Sequence, residues 1–137
     1  MRIITIEPQI YTFDIDSGHH VSNIAYIKWM EIGRIKLLEK VGMPVHEIEK
    51  AGFFPVLTHT DISYNKSLYL GDKVRVELFL TRLRKTSGKI QFNFIKDTDE
   101  VVAIGTQDAL FLSSTTKRVY KLSEDQRLKF ENYLIED

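Results

Sequence analysis

The sequence predicts an α+β fold in which an antiparallel β-sheet packs around one long central helix, with a shorter helix near the C-terminal end. Three observations carry that expectation. A helical apolar pattern runs from Asn23 to Val41, and four β-like segments joined by short turns follow it. Short connections between successive strands favour antiparallel pairing, with the helix laid across one face. No repeat, linker or low-complexity tract interrupts the 137 residues, so one domain spanning 1–137 is expected, long enough to bury a core unaided.

Ile6 to Phe13 reads as the first strand. The helix from Asn23 to Val41 carries Ile24, Ile27, Met30, Ile35, Leu38 and Val41 at helical spacing, while Trp29, Ile32 and Leu37 add apolar residues off that stripe. A helix apolar on more than one side is covered on more than one side. Gly42 and Pro44 end it, and a short helical turn follows near Val45 to Lys50. Strands are expected over Val56–Tyr64, Lys73–Leu83, Lys89–Lys96 and Val101–Leu112. The alternation of Val74, Val76, Leu78 and Leu80 against Arg75, Glu77 and Thr81 is that of a half-buried strand. Gly71–Asp72, Ser87–Gly88 and Asp97–Glu100 supply turn chemistry. Ser123 and Gln126 form a capping box for a final helix ending near Leu134.

Composition narrows the function classes. Lys plus Arg equals Asp plus Glu at 19 each, so the overall field favours neither nucleic acid nor a charged membrane surface. There is no cysteine, which excludes disulfides, thiolate metal sites and cysteine nucleophiles and suits a reducing compartment. The first residues carry no signal-peptide pattern, and no apolar run approaches the roughly 20 residues a bilayer requires. A cytoplasmic protein is the expectation. One helix cannot shelter both faces of a sheet, so a homo-oligomer is expected to bury the rest.

Reactive groups crowd the stretch YTFDIDSGHHVSNIAYIKWMEIGR, Tyr11 to Arg34, which spans the end of the first strand, a loop and the helix start. The first N–H groups of a helix lack intrahelical partners and lie at its positive end, so they hold an anion or polarise a carbonyl oxygen. Ser22 or Asn23 can cap this helix. A carboxylate within reach of the same carbonyl would complete a minimal acyl-transfer site. A metal site from Asp14, Asp16, His19 and His20 is disfavoured, because adjacent side chains diverge and no second ligand cluster exists in the sequence. No nucleophile elbow surrounds a serine.

At these residues the sequence resembles the hotdog-fold thioesterases of the 4-hydroxybenzoyl-CoA thioesterase type. Their pattern is Asp-x-Asp-x-x-Gly-His-Val-Asn-Asn-x-x-Tyr, then an aromatic residue and Glu-x-x-Arg. Asp14, Asp16, His20, Val21, Asn23, Tyr26, Trp29, Glu31 and Arg34 match in register, whereas His19 stands where the family usually has glycine and Ser22 replaces the first asparagine. A second block, ISYNKSLYLGDKVRV, matches the family at Tyr64, Gly71 and Asp72.

The resemblance implies a fold, an activity and roles. It implies that Asp16 is the catalytic base or nucleophile, that the Asn23 amide polarises a thioester carbonyl, and that Tyr26 belongs to the substrate site. It assigns His20 a possible orienting role, against the alternative of a packing histidine. Asp14 supports the loop, and Glu31 and Arg34, spaced i,i+3, form a structural ion pair. The hairpin segment TRLRKTSGK resembles the family's CoA-phosphate contacts at Arg84, Lys85, Thr86 and Ser87. Arginine suits phosphate chemically, although exposed hairpin charges are as readily only solubilising. The reading is an acyl-CoA thioesterase that needs no metal or redox cofactor, CoA entering only as part of the substrate, in a homodimer or homotetramer with the site at the subunit interface. An acyl-carrier-protein thioesterase is the enzymatic alternative, weakened by Gly18 where those relatives have asparagine. A non-catalytic acyl-thioester binding protein is the other. Phe53, Phe54, Leu57, Tyr64 and Tyr69 could line the acyl pocket, whose occupant the sequence does not specify.

Overall fold

Ser22 starts the long helix, α1 (Asn23–Lys40), by accepting a hydrogen bond from the Ile24 N–H at 3.2 Å. Its other end closes in a Schellman arrangement: Gly42, at φ 82°, donates to the Glu39 carbonyl at 3.0 Å and Met43 donates to the Leu38 carbonyl at 2.8 Å. The computed structural model describes residues 2–135. Its strands are β1 (Ile4–Ile6), β2 (Phe53–Tyr64), β3 (Val74–Leu83), β4 (Ser87–Lys96) and β5 (Val101–Ser113), and a second helix, α2, covers Glu124–Glu131. The strands form one sheet in the order β1-β3-β4-β5-β2, and every pair is antiparallel. This is the α+β hotdog arrangement, a sheet with a long helix against one face.

α1 runs antiparallel to β4, and its contacts show this turn by turn. Tyr26 and Trp29 pack on Phe94, with ring centroids 5.2 and 6.4 Å apart. Gly33 lies over Leu78 and Phe92. Leu37 and Leu38 share an apolar recess with Leu80, Leu83 and Ile90. The helix buries Ala25, Tyr26, Trp29, Met30, Gly33, Leu37 and Leu38; of the stripe expected from apolarity, Met30, Leu38 and Val41 are buried, but its N-terminal part is not. Ile24 and Ile27 are 66% and 46% exposed, and Ile32 is exposed as well. The small residues Ala25 and Gly33 explain the difference, because they select the side on which helix and sheet backbones can approach.

Other expectations also shift. The first strand is only Ile4–Ile6 rather than Ile6–Phe13, because pairing to β3 stops at Ile6 and Val76 and Pro8 has no N–H to continue a ladder. β2 starts at Phe53, ahead of Pro55. Proline is tolerated there because β2 is an edge strand, bonded only to β5. The β3–β4 turn falls at Arg84–Thr86, closed by the Arg84 N–H on the Ser87 carbonyl at 2.8 Å, so Ser87–Gly88 already belong to β4. α2 ends at Glu131 instead of near Leu134, since the chain turns back for the Ile135 N–H to reach the Leu80 carbonyl at 2.8 Å. The Ser123–Gln126 capping box forms as expected. Among the described residues no helix is long and apolar enough to cross a membrane.

Gly33 is the closest approach of α1 to the sheet. A Cβ there would lie 3.1 Å from Leu78 Cδ2 and 3.3 Å from Phe92 Cε2, both side chains fully buried. Gly33→Leu should therefore overpack the interface by about 3 kcal/mol and lower the Tm by roughly 10 °C. Thermal unfolding followed by circular dichroism checks this; an unchanged Tm would show that the helix can lift without penalty.

Candidate active site

The loop before α1 is a tight hairpin written in the residues Asp16 to His20. Ile15 and Val21 pair as an isolated antiparallel bridge. Within it the His19 N–H donates to the Asp16 carbonyl at 3.0 Å and the Asp16 N–H to the His20 carbonyl at 3.1 Å. His19 has φ 66°, which gives the form of a three-residue hairpin with a bulge at a left-handed residue. That position favours glycine, so the glycine usual in the resembled family and the histidine here answer the same backbone demand.

The hairpin also aims Asp16. Its Oδ1 accepts the Gly18 N–H at 2.9 Å, an Asx turn that fixes the carboxylate to its own backbone. His20 Nδ1 lies 3.9 Å from Asp16 Oδ1 and 3.3 Å from the Val21 carbonyl oxygen, so the imidazole borders the carboxylate. Gly18 is confined between them: a Cβ there would meet His20 Nε2 at 3.0 Å and Asp16 Oδ1 at 3.2 Å. Asp14 serves the loop, as its residue type suggested. It is buried, and its Oδ2 accepts the Tyr11 N–H at 2.8 Å.

Ser22, not Asn23, is the cap. Asn23 is the first helical residue, and its N–H has no acceptor among the described residues, as the first turn of a helix leaves it. A pocket of about 110 Å³ opens beside this end of α1, lined by His20, Val21, Asn23, Tyr26, Tyr64, Asn65, Lys66 and Ser67. Asp16 is not one of its lining residues, but lies next to one of them, His20. Tyr26 is 2% exposed and stands edge-on to Tyr64, with centroids 5.1 Å apart. Burial, and secondarily the neighbouring Tyr64, push the Tyr26 phenol up to about 12. Burial also raises Tyr64.

Asn65, Lys66 and Ser67 were not foreseen as pocket residues. The only signal was that they continue the matched block after Tyr64. Both the Asn65 and Lys66 N–H groups donate to the Val102 carbonyl, at 2.9 and 3.0 Å, and this folds the segment over the pocket. Of the other possible acyl-lining residues, Tyr64 lines this pocket, while Phe53 packs into the core with Phe111 and Tyr120.

Glu31 and Arg34 form their ion pair. Arg34 goes further, donating through Nη1 to Gln107 Oε1 at 3.0 Å, while Gln107 Nε2 reaches Thr60 Oγ1 at 3.4 Å. Gln107 is 2% exposed, and this polar chain ties α1 to β5 and β2. Nothing in the residue spacing announced it.

Arg84, Lys85, Thr86 and Ser87 lie apart from all of this. Arg84 to Thr86 form the β3–β4 turn and Ser87 opens β4, with Arg84 and Lys85 exposed. The helix start sits over Phe94 at the other end of β4. Ser87 and Lys96 bound that strand, which at about 3.4 Å per residue separates its ends by roughly 30 Å. Within one chain the basic turn and Asp16 do not meet.

A family model described as the thioesterase-like superfamily matches residues 11–130. The YneP protein of Bacillus subtilis (strain 168), provisionally named as an acyl-CoA thioesterase, is 28% identical over 80 residues. That match spans 58% of this chain and 58% of the relative, so it covers less than two thirds of either. Among solved structures, a Staphylococcus aureus protein in complex with CoA aligns with a TM-score of 0.89 at 15% identity over 96% of this chain and 83% of its own. The DHNA-CoA thioesterase of Staphylococcus aureus aligns at 0.80 and 19%, over 99% of both chains. The 1,4-dihydroxy-2-naphthoyl-CoA thioesterase of Synechocystis aligns at 0.82 and 16%, over 93% and 95%. At these identities the structures establish a shared fold.

The left-handed His19 gives this site a stability test. A β-carbon in that conformation is disfavoured by about 1–2 kcal/mol, partly offset by the larger entropy glycine loses on folding. His19→Gly should thus be stabilising by about 0.5–1 kcal/mol, raising the Tm by a few degrees, whereas His19→Val should lower it. Loss of stability in the glycine variant would mean that the imidazole makes a contact the fold depends on.

Proposed function

The chain belongs to the thioesterase-like superfamily, and on that premise we propose that it hydrolyses acyl-CoA thioesters to the free acid and CoA, with Asp16 as general base. The observation that carries this is the Asp16 carboxylate, fixed by the Gly18 N–H in the hairpin that leads into α1, whose first residue Asn23 has an N–H without an acceptor among the described residues. Asp16 takes a proton from water as the water oxygen bonds to the thioester carbon. The carbonyl electron pair moves onto oxygen, where the Asn23 amide and the positive end of α1 stabilise it. The C–S bond then breaks, and the departing thiolate takes the proton from Asp16. His20 borders the carboxylate at a distance suited to orienting it or the water.

A mere binding module has no use for a base in this position, which favours an enzyme. Asp16→Asn keeps shape and much of the hydrogen bonding while removing the base, so it should lower kcat at least ~100-fold with little change in KM. Release of free thiol from a panel of aromatic, short-chain and long-chain acyl-CoAs is the assay. Near-wild-type turnover by the folded variant would remove Asp16 as catalyst, and tight binding without turnover by the wild type would favour the binding module.

Arg84, Lys85, Thr86 and Ser87 are proposed to contact the CoA phosphates. Because they lie at the far end of the chain from Asp16, this requires a second subunit to bring its own basic turn to the site, and a homodimer is part of the proposal. Arg84→Ala with Lys85→Ala should raise KM for acyl-CoA and leave kcat nearly intact, since remote phosphate contacts are equal in ground and transition states. Added salt should imitate the substitution by screening, and acyl-pantetheine, which lacks the nucleotide phosphates, should respond to neither. Equal effects on both substrates would place the phosphates elsewhere.

A further inference from the structure

Tyr26 combines two properties that rarely coexist: it is 2% exposed, and its hydroxyl has no hydrogen-bond partner among the described residues. Buried tyrosine hydroxyls normally find one, because an unpaired polar group away from water is destabilising. The enclosed side-chain atoms without a partner are Arg82 Nε and Ser114 Oγ. Tyr26 Oη is not among them, so the little surface this residue keeps includes its hydroxyl, and Tyr26 is one of the residues lining the pocket at the start of α1.

The helix explains how the hydroxyl gets there. Tyr26 stands in the first helical turn, three residues after Asn23. Long helical side chains lean back toward the N-terminus, so its phenol extends toward the same end as the unused Asn23 N–H. Packing fixes the ring, with Trp29, Tyr64 and Phe94 centroids 5.3, 5.1 and 5.2 Å away. Asn23 and Tyr26 line one pocket of about 110 Å³, room for a thioester carbonyl and a few neighbouring atoms, given about 30 Å³ for each water-sized group. A carbonyl seated in so small a pocket has the Asn23 N–H and the Tyr26 hydroxyl as candidate donors from its lining residues.

We propose that the Tyr26 hydroxyl is a second hydrogen-bond donor to the thioester carbonyl oxygen, acting with the Asn23 N–H as the developing oxyanion forms. The inference rests on the thioester-hydrolase reading above and adds a catalytic residue to it. As water adds, the carbonyl electron pair moves onto oxygen and both donors bond to it. No proton leaves Tyr26, whose acidity is suppressed by burial. When the carbonyl re-forms, the C–S bond breaks and the thiolate takes its proton from Asp16, leaving Tyr26 unchanged. The donor sits in a fixed, packed position, so it is ready without reorganisation as charge develops.

Tyr26→Phe in the intact protein isolates the hydroxyl. Removing one oxyanion donor should lower kcat about 100-fold on every acyl-CoA the wild type hydrolyses, with KM within about twofold. The Tm should stay the same or rise, because an unpaired donor is replaced by an apolar group of the same shape. Unchanged kcat would overturn the proposal, as would a loss confined to KM or to certain acyl groups, which would make Tyr26 an acyl contact. A fall in Tm of several degrees would also overturn it, by showing that the hydroxyl is bonded within the fold. If the wild type is active, Asp16→Asn is inert and Tyr26→Phe is fully active, only this inference fails. If no acyl-CoA is hydrolysed by the wild type, the thioesterase reading fails and this one with it.

Discussion

The position of the first turn of α1 governs the rest of the candidate site. Two backbone bonds and one side-chain cap set it. The Ser22 N–H donates to the Asp14 carbonyl at 2.7 Å, the Val21 N–H to the Leu68 carbonyl at 2.8 Å, and Ser22 itself caps the helix. These fasten the Asp16 hairpin to one side of the helix start and the Tyr64–Leu68 segment to the other. The carboxylate, the first helical amide and the pocket are therefore positioned by a single structural junction. From there the helix descends along the sheet, with Gly33 allowing close contact over Leu78 and Phe92. A shift of the helix would move the amide relative to the carboxylate, so packing in the middle of the domain bears directly on geometry at its end.

Much of this was legible in the residues, and the reasons are local. Ser22 before a helical pattern, Gly42 after it, and Ser123 with Gln126 act through hydrogen bonds to residues a few positions away, so sequence alone locates them. The Asp16–His20 hairpin is equally local, an aspartate bonding the N–H two residues on and then a left-handed residue, yet the residues alone read there only as a loop. What escaped depends on distant partners. The strand reads as starting at Val56, but β2 is an edge strand and extends back through Pro55 to Phe53. Ile24 and Ile27 read as core until Ala25 and Gly33 are seen to set the contact face. The Arg34–Gln107–Thr60 chain joins residues separated by 73 and 47 positions, and no periodicity encodes such a meeting.

The two ends of the sheet divide the labour of the proposed reaction. The end at Phe94 and Tyr64 carries the helix start, the carboxylate and the pocket, all held by packed rings and backbone bonds. The end at Arg84–Ser87 carries exposed charge suited to a distant, solvated part of a substrate. Exposed apolar residues gather beside the first of these: Tyr11 and Phe13 stack on each other at 5.1 Å while remaining 47% and 76% exposed, and Ile24 and Ile27 are exposed on α1. Such a surface fits the proposal that a second subunit completes the site and supplies its own basic turn.

The start of α1 is proposed to polarise a thioester carbonyl held beside Asp16. Isotope-edited infrared spectroscopy on the Asp16→Asn protein tests it without turnover, using an acyl-CoA labelled with carbon-13 at the carbonyl. Hydrogen bonds from the helix start withdraw electron density from the C=O bond, so binding should move its stretch to lower frequency than in water. A bound substrate whose carbonyl stretch stays at or above its frequency in water would contradict the account, because the carbonyl would then lie away from the helix start.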